Sequence, residues 1–387
     1  MSEWKKVKLK DCCIKIGSGL TPKGGSTVYI NSGTSLIRSQ NVYNLSFDYN
    51  GLTHITEDAA KKLNGVTIFK NDILLNITGD SVARTCIVPD DVLPARVNQH
   101  VAIVRVDGKT MNSNYLSYYL ACPKMQAHML SLAVGKGASR NAMTKQMIEN
   151  FEVPCPPIEI QIRIATILSR YDTLIENYQK QIRLLEEAAQ RLYKEWFVEL
   201  CFPGHENTEI IDGVPEGWRI KKVGDVTPIK TGKKDANFGT DNGSFPFFTC
   251  AQEPIKAPSY SFDTSAVILA GNGDFNVKLY RGKFEAYQRT YVLEPTNAKM
   301  LYLLYFCISE NMNKLATRAS GSTIKFLTKG MIESLVLIEP SICVLDSFNQ
   351  IIEPIRTLKE NLQSQIRLLT EARDRLLPKV MGGEMEV

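Results

Sequence analysis

The chain contains one unit repeated twice, and this repeat limits the possible folds more than any other feature. Residues 173–192 and 357–376 match closely, with an offset of 184. The same offset pairs Gly137 with Gly321. Self-similarity that keeps one register over such a span indicates two copies of one structural unit.

The offset between the copies is larger in their first parts. Trp4 matches Trp218 at an offset of 214, and Ile73-Leu74-Leu75 matches Val267-Ile268-Leu269 at 194. The first part of the unit has therefore changed length, whereas the last part has not. We infer that one element has a constrained length and that the other has been free to diversify.

The first part of each copy has the pattern of a mixed domain, because short β-like runs are separated by Gly, Pro, Asn and Asp. The predicted strands are residues 35–38, 72–77, 101–106, 266–270 and 290–293. The predicted apolar helices are residues 115–120 and 301–308.

A long helix is predicted to end each copy. Pro154, Pro156 and Pro157 precede the first one, which is expected from Glu159 to Glu199, about 60 Å at ~1.5 Å per residue. Apolar residues alternate at steps of four and three, which is a heptad seam. Such length favours an antiparallel coiled coil of the two helices over packing of each helix on its own domain. The assigned seam residues are Leu168, Tyr171, Ile175, Tyr178, Ile182, Leu185, Leu192, Ile352, Leu362, Ile366, Leu369 and Leu376.

The second long helix is less regular. Lys359 and Arg373 interrupt its seam, and Pro354 predicts that its regular part begins late or is kinked. The complete pattern predicts an α+β fold. Two globular mixed α/β domains are joined by two long antiparallel coiled-coil helices, with a pseudo-two-fold internal repeat. The predicted segments are domain 1–155, helix 156–200, domain 201–340 and helix 341–387.

Two diverged domains separated by a rigid helical spacer suit the geometry of DNA. Equivalent faces of a duplex recur every helical turn, about 34–36 Å, and dimeric proteins hold two reading heads at such spacings. This chain would read two different half-sites across an unread gap. Its formal charge of +5 permits DNA binding without requiring it.

Polar loops of both domains supply candidate DNA-contacting residues. Arg and Lys can bind guanine or phosphate, and Asn and Gln match adenine. An ordinary solvated loop is the alternative for each of them. The candidates in the first domain are Thr21, Lys23, Arg38, Gln40, Asn41, Thr78, Arg84, Asn98, Gln99, Lys136 and Arg140. Those in the second domain are Lys233, Lys234, Asn272, Asn276, Lys278, Gln288, Arg289 and Lys325.

The sequence resembles the specificity subunits of Type I restriction-modification enzymes over essentially the whole chain. Three segments carry the resemblance: residues 4–11, echoed at 218–225; the proline-rich residues 154–161; and the C-terminal residues 372–384. Residues 339–342, Glu-Pro-Ser-Ile, depart from the family's Pro-Pro-Ile-Glu pattern at the start of the second helix.

The resemblance implies that each globular domain is a target recognition domain for part of a split double-stranded DNA site. It implies that the helices set the spacing and dock two copies of an adenine-N6 methyltransferase subunit, which a restriction or motor subunit joins. S-adenosylmethionine, ATP and Mg²⁺ are expected on those partners only, so no cofactor or metal is expected here. The family's base-reading residues vary, so none is assigned from the resemblance.

Catalytic functions have little support in the sequence. Cys155-Pro156-Pro157-Ile158 lacks the flanking residues of an adenine methyltransferase motif. A stand-alone DNA endonuclease could use Asp90 and residues 107–109 to bind Mg²⁺, but 107–109 is predicted to be a hairpin turn. A coiled-coil scaffold or adaptor is the other alternative, and it leaves the paired polar domains unexplained. We therefore expect a non-catalytic subunit.

Membrane insertion and export are not expected. No stretch approaches the roughly 20 apolar residues of a membrane helix, and the N-terminal residues lack the apolar core of a secretory signal. The nine cysteines are scattered and include no CxxC pair. A cytoplasmic protein with reduced thiols is expected.

Overall fold

The computed structural model describes residues 4–134, 141–321 and 325–385, apart from the side chains of residues 25 and 26. The chain divides into two compact units. Unit 1 is Met1–Gln179 with Gln363–Val387, and unit 2 is Lys180–Leu362. Each long helix thus contributes to both units, whereas the sequence pattern placed the helices in segments of their own.

The first globular domain, in unit 1, consists of short strands and helices. Its strands are β1 (Lys6–Lys8), β2 (Cys13–Ser18), β3 (Tyr29–Ile30), β4 (Thr34–Ile37), β5 (Val42–Tyr43), β6 (Ser46–Phe47), β7 (Thr53–Ile55), β8 (Thr67–Ile68), β9 (Ile73–Asn76), β10 (Thr85–Ile87), β11 (Ala95–Val97), β12 (Val101–Val106) and β13 (Glu152–Pro154). Its helices are α1 (Leu9–Cys12), α2 (Glu57–Lys62), α3 (Ser113–Ala121), α4 (Pro123–Ala133) and α5 (Lys145–Glu149). The larger sheets have the orders β10-β9-β12-β2 and β3-β7-β4-β11-β8.

The second globular domain, in unit 2, has the strands β14 (Ile210–Ile211), β15 (Val214–Pro215), β16 (Arg219–Lys222), β17 (Ile229–Thr231), β18 (Phe245–Phe248), β19 (Ile255–Ala257), β20 (Phe262–Ala270), β21 (Val277–Ala286), β22 (Thr290–Leu293) and β23 (Val336–Glu339). Its one larger sheet has the order β17-β22-β20-β21-β18-β19. Its shorter helices are α7 (Val223–Val226), α8 (Leu301–Arg318) and α9 (Lys329–Glu333). The five predicted strands and both predicted apolar helices are confirmed in the two domains.

Strand pairing confirms the internal repeat. β1 pairs with β13 so that Lys6 faces Pro154, and β16 pairs with β23 so that Ile220 faces Ile338. The offset of 214 at the start of the unit and the offset of 184 at its end therefore lead to equivalent pairs. The central pairs agree as well, because β9 lies beside β12 and β20 lies beside β22.

The turn at residues 107–109 is not a hairpin, because β12 leads into helix α3 and not into another strand. The Asp107 carboxylate accepts hydrogen bonds from the backbone N–H groups of Lys109, Thr110 and Met111, at 3.0, 2.9 and 3.2 Å. These bonds lower the pKa of Asp107 against the opposing effect of partial burial, which is the largest single influence. The carboxylate considered for an endonuclease site thus stabilises a strand-to-helix connection.

The two long helices are α6 (Ile158–Phe197) and α10 (Ile342–Met381), each of 40 residues. Helix α10 is continuous through Pro354, so the expectation that its regular part begins late is wrong. Within unit 1, Leu168 near the start of α6 shares a core with Leu377 near the end of α10. Within unit 2, Phe197 near the end of α6 packs on Phe348 near the start of α10. The helices therefore pair in opposite directions within each unit.

All the assigned seam residues are buried or half-buried. The two charged interruptions lie on the same seam and bond to the facing helix. Lys359 Nζ lies 2.6 Å from Glu186 Oε1 in unit 2, and Arg373 Nη1 lies 2.6 Å from Asp172 Oδ1 in unit 1. These positions carry interhelical ion pairs in place of apolar contacts, which is a known way to specify register in coiled coils.

The ends of the long helices also belong to the domain cores. Ile164 and Leu168 join the core of the first domain, while Trp196 and Phe197 join that of the second. Packing on the domain core, the alternative to a coiled coil, therefore applies to the helix ends. In the part of the chain that the structure describes, no helix is long and apolar enough to cross a membrane.

Candidate nucleic-acid interface

A pair of equivalent glycines builds the loop end of each sheet. Gly19 follows β2, and its N–H donates to the carbonyl oxygen of Val101, at 3.0 Å. A Cβ at Gly19 would lie 1.9 Å from the carbonyl oxygen of Val97, so no other residue fits without backbone movement. Gly232 follows β17, and its Cβ would lie 2.0 Å from the carbonyl oxygen of Ala286. In both units the loop after the first sheet strand is thus held against the loop before β12 or β22.

A second pair of contacts brings two more loops to the same end. Thr78, after β9, forms an isolated β-bridge with Ala142, and Asn272, after β20, forms one with Phe326. The segment before α5 or α9 is thereby held beside the loop after the central strand. Four loops converge at one end of each unit, and most of the predicted DNA-contacting residues lie on them.

In unit 1 the structure joins three predicted residues into a hydrogen-bonded chain. The Thr21 hydroxyl donates to Gln99 Oε1, and Gln99 Nε2 lies 3.2 Å from His100 Nε2. His100 Nδ1 lies 2.6 Å from Thr78 Oγ1. With the Gln99 amide donating to Nε2, the imidazole proton lies on Nδ1 and is donated to Thr78. The Thr78 hydroxyl hydrogen is then left to donate to a ligand.

Three other candidates of unit 1 make contacts outside this hydrogen-bonded chain. Arg38 Nη2 donates to the carbonyl oxygen of Gly51 at 2.6 Å, and Gln40 Nε2 lies 3.5 Å from the same oxygen. The Arg84 guanidinium lies 4.5 Å from the ring centre of Tyr43. These side chains are exposed or half-buried, so they keep access to a ligand. Lys23 is exposed on the loop after β2.

Two predicted residues, Asn41 and Asn98, are buried. Asn41 is fully buried; its Oδ1 accepts from the Arg38 N–H at 3.0 Å and its Nδ2 donates to the Asp48 carbonyl at 2.9 Å. Asn98 is buried as well, and its Oδ1 accepts from the His100 N–H at 3.1 Å. Both ends of the Asn41 amide are thus engaged inside the domain, whereas for Asn98 the engaged atom is Oδ1. Lys136 and Arg140 lie outside the described residues.

In unit 2, three predicted residues support one short segment. Asn272 Oδ1 accepts from Cys250 Sγ at 2.7 Å, and Asn276 Nδ2 donates to the Cys250 carbonyl at 3.0 Å. Lys278 Nζ donates to the Ala251 carbonyl at 2.8 Å, and partial burial lowers the pKa of its ammonium. These polar atoms hold residues 250–251 in place and are less available to DNA than their residue types suggested.

Other candidates of unit 2 remain open to solvent. Lys233 and Lys325 are exposed, and Lys234 Nζ lies 4.4 Å from the ring centre of Phe238. Gln288 and Arg289 are exposed as well. They border a cleft of about 500 Å³, whose further lining residues are Gly271, Tyr291, Phe326, Leu327, Thr328 and Lys329.

Sequence reasoning missed most of this cleft. The candidates of the second domain include Gln288 and Arg289 but neither Phe326 nor Lys329, which also line the cleft. The offset of 184, which relates Phe326 to Ala142 and Lys329 to Lys145, was the available signal. It showed which positions correspond without showing which of them face a cleft.

The sequence profile of the Type I restriction modification DNA specificity domain matches residues 1–187 and 215–352. The chain belongs to this family. The two matched segments cover most of each domain and part of the following long helix, so this specificity subunit carries the DNA specificity domain twice. The predicted family assignment is confirmed.

Individual relatives agree with the profile. The EcoDI specificity subunit of Escherichia coli is 37% identical over 176 residues, which are 44% of this chain and 39% of that protein. The MjaIX specificity subunit of Methanocaldococcus jannaschii is 26% identical over 415 residues, an alignment that spans 100% of this chain and 94% of that protein. The crystal structure of the Type-I restriction-modification system S subunit from M. genitalium has a TM-score of 0.61 at 15% identity, over 97% and 96% of the two chains. This last likeness confirms the predicted fold class.

Proposed function

We propose that this specificity subunit reads a split double-stranded DNA site, one part with each recognition domain, and catalyses no reaction itself. The observation that carries the proposal is a shared loop frame with different residues in the loops. Gly19 and Gly232 hold equivalent loops, yet the residues presented there differ between the units. One binding mode with two diverged surfaces suits two different half-sites.

We also infer that the long helices dock two copies of the methyltransferase subunit. Ten positions between residues 173 and 191 of α6 are exposed and are identical to their exposed equivalents in α10. They are Thr173, Leu174, Glu176, Asn177, Gln179, Arg183, Leu184, Glu187, Ala188 and Arg191, with Thr357, Leu358, Glu360, Asn361, Gln363, Arg367, Leu368, Glu371, Ala372 and Arg375.

The buried seam differs more than this outward face. Ile175 and Ala189 of α6 correspond to Lys359 and Arg373 of α10. Folding constrains buried positions most and exposed ones least, so identity on the outside needs another cause. Recognition of the same partner by both helices is such a cause.

Exposed leucines mark this face. Leu174 and Leu368 are 41% and 57% exposed in unit 1, and Leu184 and Leu358 are 54% and 46% exposed in unit 2. Each unit has one leucine from each helix, which supports one partner copy per unit. Exposed apolar side chains within a polar rim are typical of protein interfaces.

Other parts of the assembly follow as proposals from family membership. A restriction or motor subunit joins the complex, and S-adenosylmethionine, ATP and Mg²⁺ bind to the partner subunits. The equal length of α6 and α10, 40 residues each, supports a role for the helices in setting the unread gap.

Domain exchange tests the reading role. Residues 1–155 are replaced by the first domain of another family member, and host DNA is sequenced for methylated adenine. One half of the methylated motif should change, while the other half and the gap stay the same. A continuous motif in the unmodified strain, or a change in both halves, would contradict the proposal.

Paired substitutions test the docking face. Leu174→Asp with Leu368→Asp should remove one partner subunit per complex, and Leu184→Asp with Leu358→Asp the other, as measured by native mass spectrometry. We expect at least roughly tenfold weaker binding per pair, because truncated interface anchors cost this much or more. Ile162→Asp is the matched control: Ile162 is 47% exposed on α6, and its equivalent in α10 is Asp346. Retention of both partners by all variants would count against this face.

A further inference from the structure

We propose that the cleft of unit 2 reads base edges in the second half-site. Arg289 and Phe326 determine specificity there, whereas Gln288 and Lys329 make a DNA contact that both units share. The inference rests on the proposed DNA-reading function and assigns residues to it.

Backbone hydrogen bonds and one tyrosine fix the shape of the cleft. The Gly271 N–H donates to the Arg289 carbonyl oxygen, and the Leu327 N–H donates to the Gly271 carbonyl oxygen, both at 2.8 Å. The Tyr291 hydroxyl donates to the Leu327 carbonyl oxygen at 2.8 Å. A Cβ at residue 271 would lie 2.4 Å from the Arg289 carbonyl oxygen, so the base of the cleft is tightly packed. The site is therefore preorganised, which favours discrimination between ligands.

Phe326 presents an exposed ring from a fixed backbone. Its N–H donates to the Ser320 carbonyl oxygen at 2.8 Å, and its own carbonyl oxygen accepts from the Ser320 N–H at 3.0 Å. A further β-bridge joins it to Asn272. Phe326 is nevertheless 38% exposed. A large apolar group held at a polar loop end is suited to contact the methyl group of thymine.

The charged residues that line the cleft, Arg289 and Lys329, are both basic. This favours an electron-rich ligand. The Arg fork matches the O6 and N7 atoms of guanine, while Lys is a point-charge partner for phosphate. Lys329 Nζ lies 3.5 Å from Glu333 Oε1, and both side chains are about half exposed, at 55% and 42%. Such a pair is weak, so Lys329 can turn to a phosphate at little cost.

The equivalent positions of unit 1 separate shared roles from specific ones. Gln99 corresponds to Gln288, and Lys145 corresponds to Lys329. Lys145 even forms the same i to i+4 pair, at 3.4 Å from Glu149. By contrast, His100 replaces Arg289 and Ala142 replaces Phe326. Residues that are retained in both units are suited to contact phosphate and sugar, which are the same in every sequence. Residues that differ between the units are suited to contact the bases that differ between the half-sites.

The experiment places Arg289→Ala, Arg289→Lys, Phe326→Ala and Lys329→Ala separately in the full chain, in a host with the complete system. Methylated-adenine sequencing then measures the motif. Arg289→Ala should reduce discrimination at one base pair of the second half roughly 5- to 150-fold, which is the range for a lost bidentate contact. Phe326→Ala should reduce discrimination at the same base pair or at an adjacent one, while the first half of the motif stays unchanged. Lys329→Ala should lower methylation at all sites without changing the motif.

Arg289→Lys keeps the charge but not the fork, so it separates base reading from simple attraction. Relaxed specificity in Arg289→Lys supports the proposal even if Phe326→Ala proves unstable in a melting experiment. Uniformly lower methylation in the Arg289 and Phe326 variants, with no relaxed position, would overturn the base-reading role of the cleft while leaving the split-site function intact. A continuous motif in the unmodified strain would overturn both.

Discussion

Unit 1 arranges its larger sheets as four and five strands, whereas unit 2 has a single larger sheet of six strands. The elements that hold the loops nevertheless agree. Thr144 accepts a hydrogen bond from the N–H of Met147 at the start of α5, and Thr328 accepts one from Met331 at the start of α9. The comparison shows that the sheets have diverged while the frame that presents the loops is retained.

Each domain is joined to the long helices of its own unit by a tyrosine, but through different partners. Tyr118 donates to Asp172 of α6, which also bonds to Arg373. Its equivalent Tyr302 donates to Glu353 of α10, at 2.5 Å. Both carboxylates lie on the long helix that follows the tyrosine's own domain, but they occupy positions about one turn apart, because Asp172 corresponds to Arg356 and Glu353 corresponds to Ser169. The requirement is thus for a polar connection at this point and not for one set of residues.

The largest loss of stability is expected from substitution of the two equivalent glycines that hold the loops. Gly19→Ala and Gly232→Ala should each destabilise their domain by about 3 kcal/mol or more, because the new Cβ would overlap backbone oxygen. Chemical denaturation of the full chain measures the loss. Gly17→Ala is the control in the same segment, because no heavy atom lies within 4 Å of its added Cβ. Equal losses for Gly17→Ala and Gly19→Ala would refute the shared-frame argument.

An intermediate effect should distinguish the two charged seam positions. Side chains of Arg373 and Asp172 are 13% and 18% exposed, whereas those of Lys359 and Glu186 are 29% and 50% exposed. Arg373→Met should cost about 2–3 kcal/mol, because Asp172 would keep its charge in a mostly buried site. Lys359→Met should change stability by less than about 0.5 kcal/mol, since water can solvate Glu186.

Urea unfolding of these two variants measures the difference. The double variant Arg373→Met with Asp172→Asn should recover part of the lost stability, because it removes the unpaired charge. Similar losses for Arg373→Met and Lys359→Met would show that burial does not separate the two pairs.

The smallest expected effect is a loss of stability in unit 2 at low pH. Arg281 donates to both carboxylate oxygens of Glu353, at 2.8 and 3.0 Å, and these bonds hold the pKa of Glu353 below its usual range. Because the pKa of Glu353 is lower in the folded state than in the unfolded state, the pair stabilises the fold at pH values above the unfolded-state pKa. This stabilisation is lost as the pH falls through the folded-state pKa. Because Glu353 is 45% exposed, we expect less than about 1 kcal/mol.

Unfolding free energies of the wild type and Glu353→Gln, measured between pH 7 and pH 3, test this. The two curves should converge at the acid end. Glu187→Gln, an exposed substitution on α6, should follow the wild type more closely. Parallel curves for the wild type and Glu353→Gln would exclude a contribution from this pair.

Local pattern and self-similarity determined much of this protein. The heptad spacing predicted both long helices and their seam, because a helix exposes its periodicity in adjacent turns. The repeat predicted the equivalence of the domains, including offsets that lead to equivalent strand pairs. Burial could not be predicted for Asn41 and Asn98, because it depends on which loops fold over them.

Only the tertiary structure decided the remaining features, because they join residues far apart in the chain. β1 pairs with β13, β16 pairs with β23, and α10 continues through Pro354. Lys359 and Arg373, which interrupt the seam in sequence, meet acidic partners on the facing helix. Phe326 reaches the cleft of unit 2 because β-bridges hold its backbone there. A sequence records which residues are available, and long-range pairing decides which of them are buried, paired or presented.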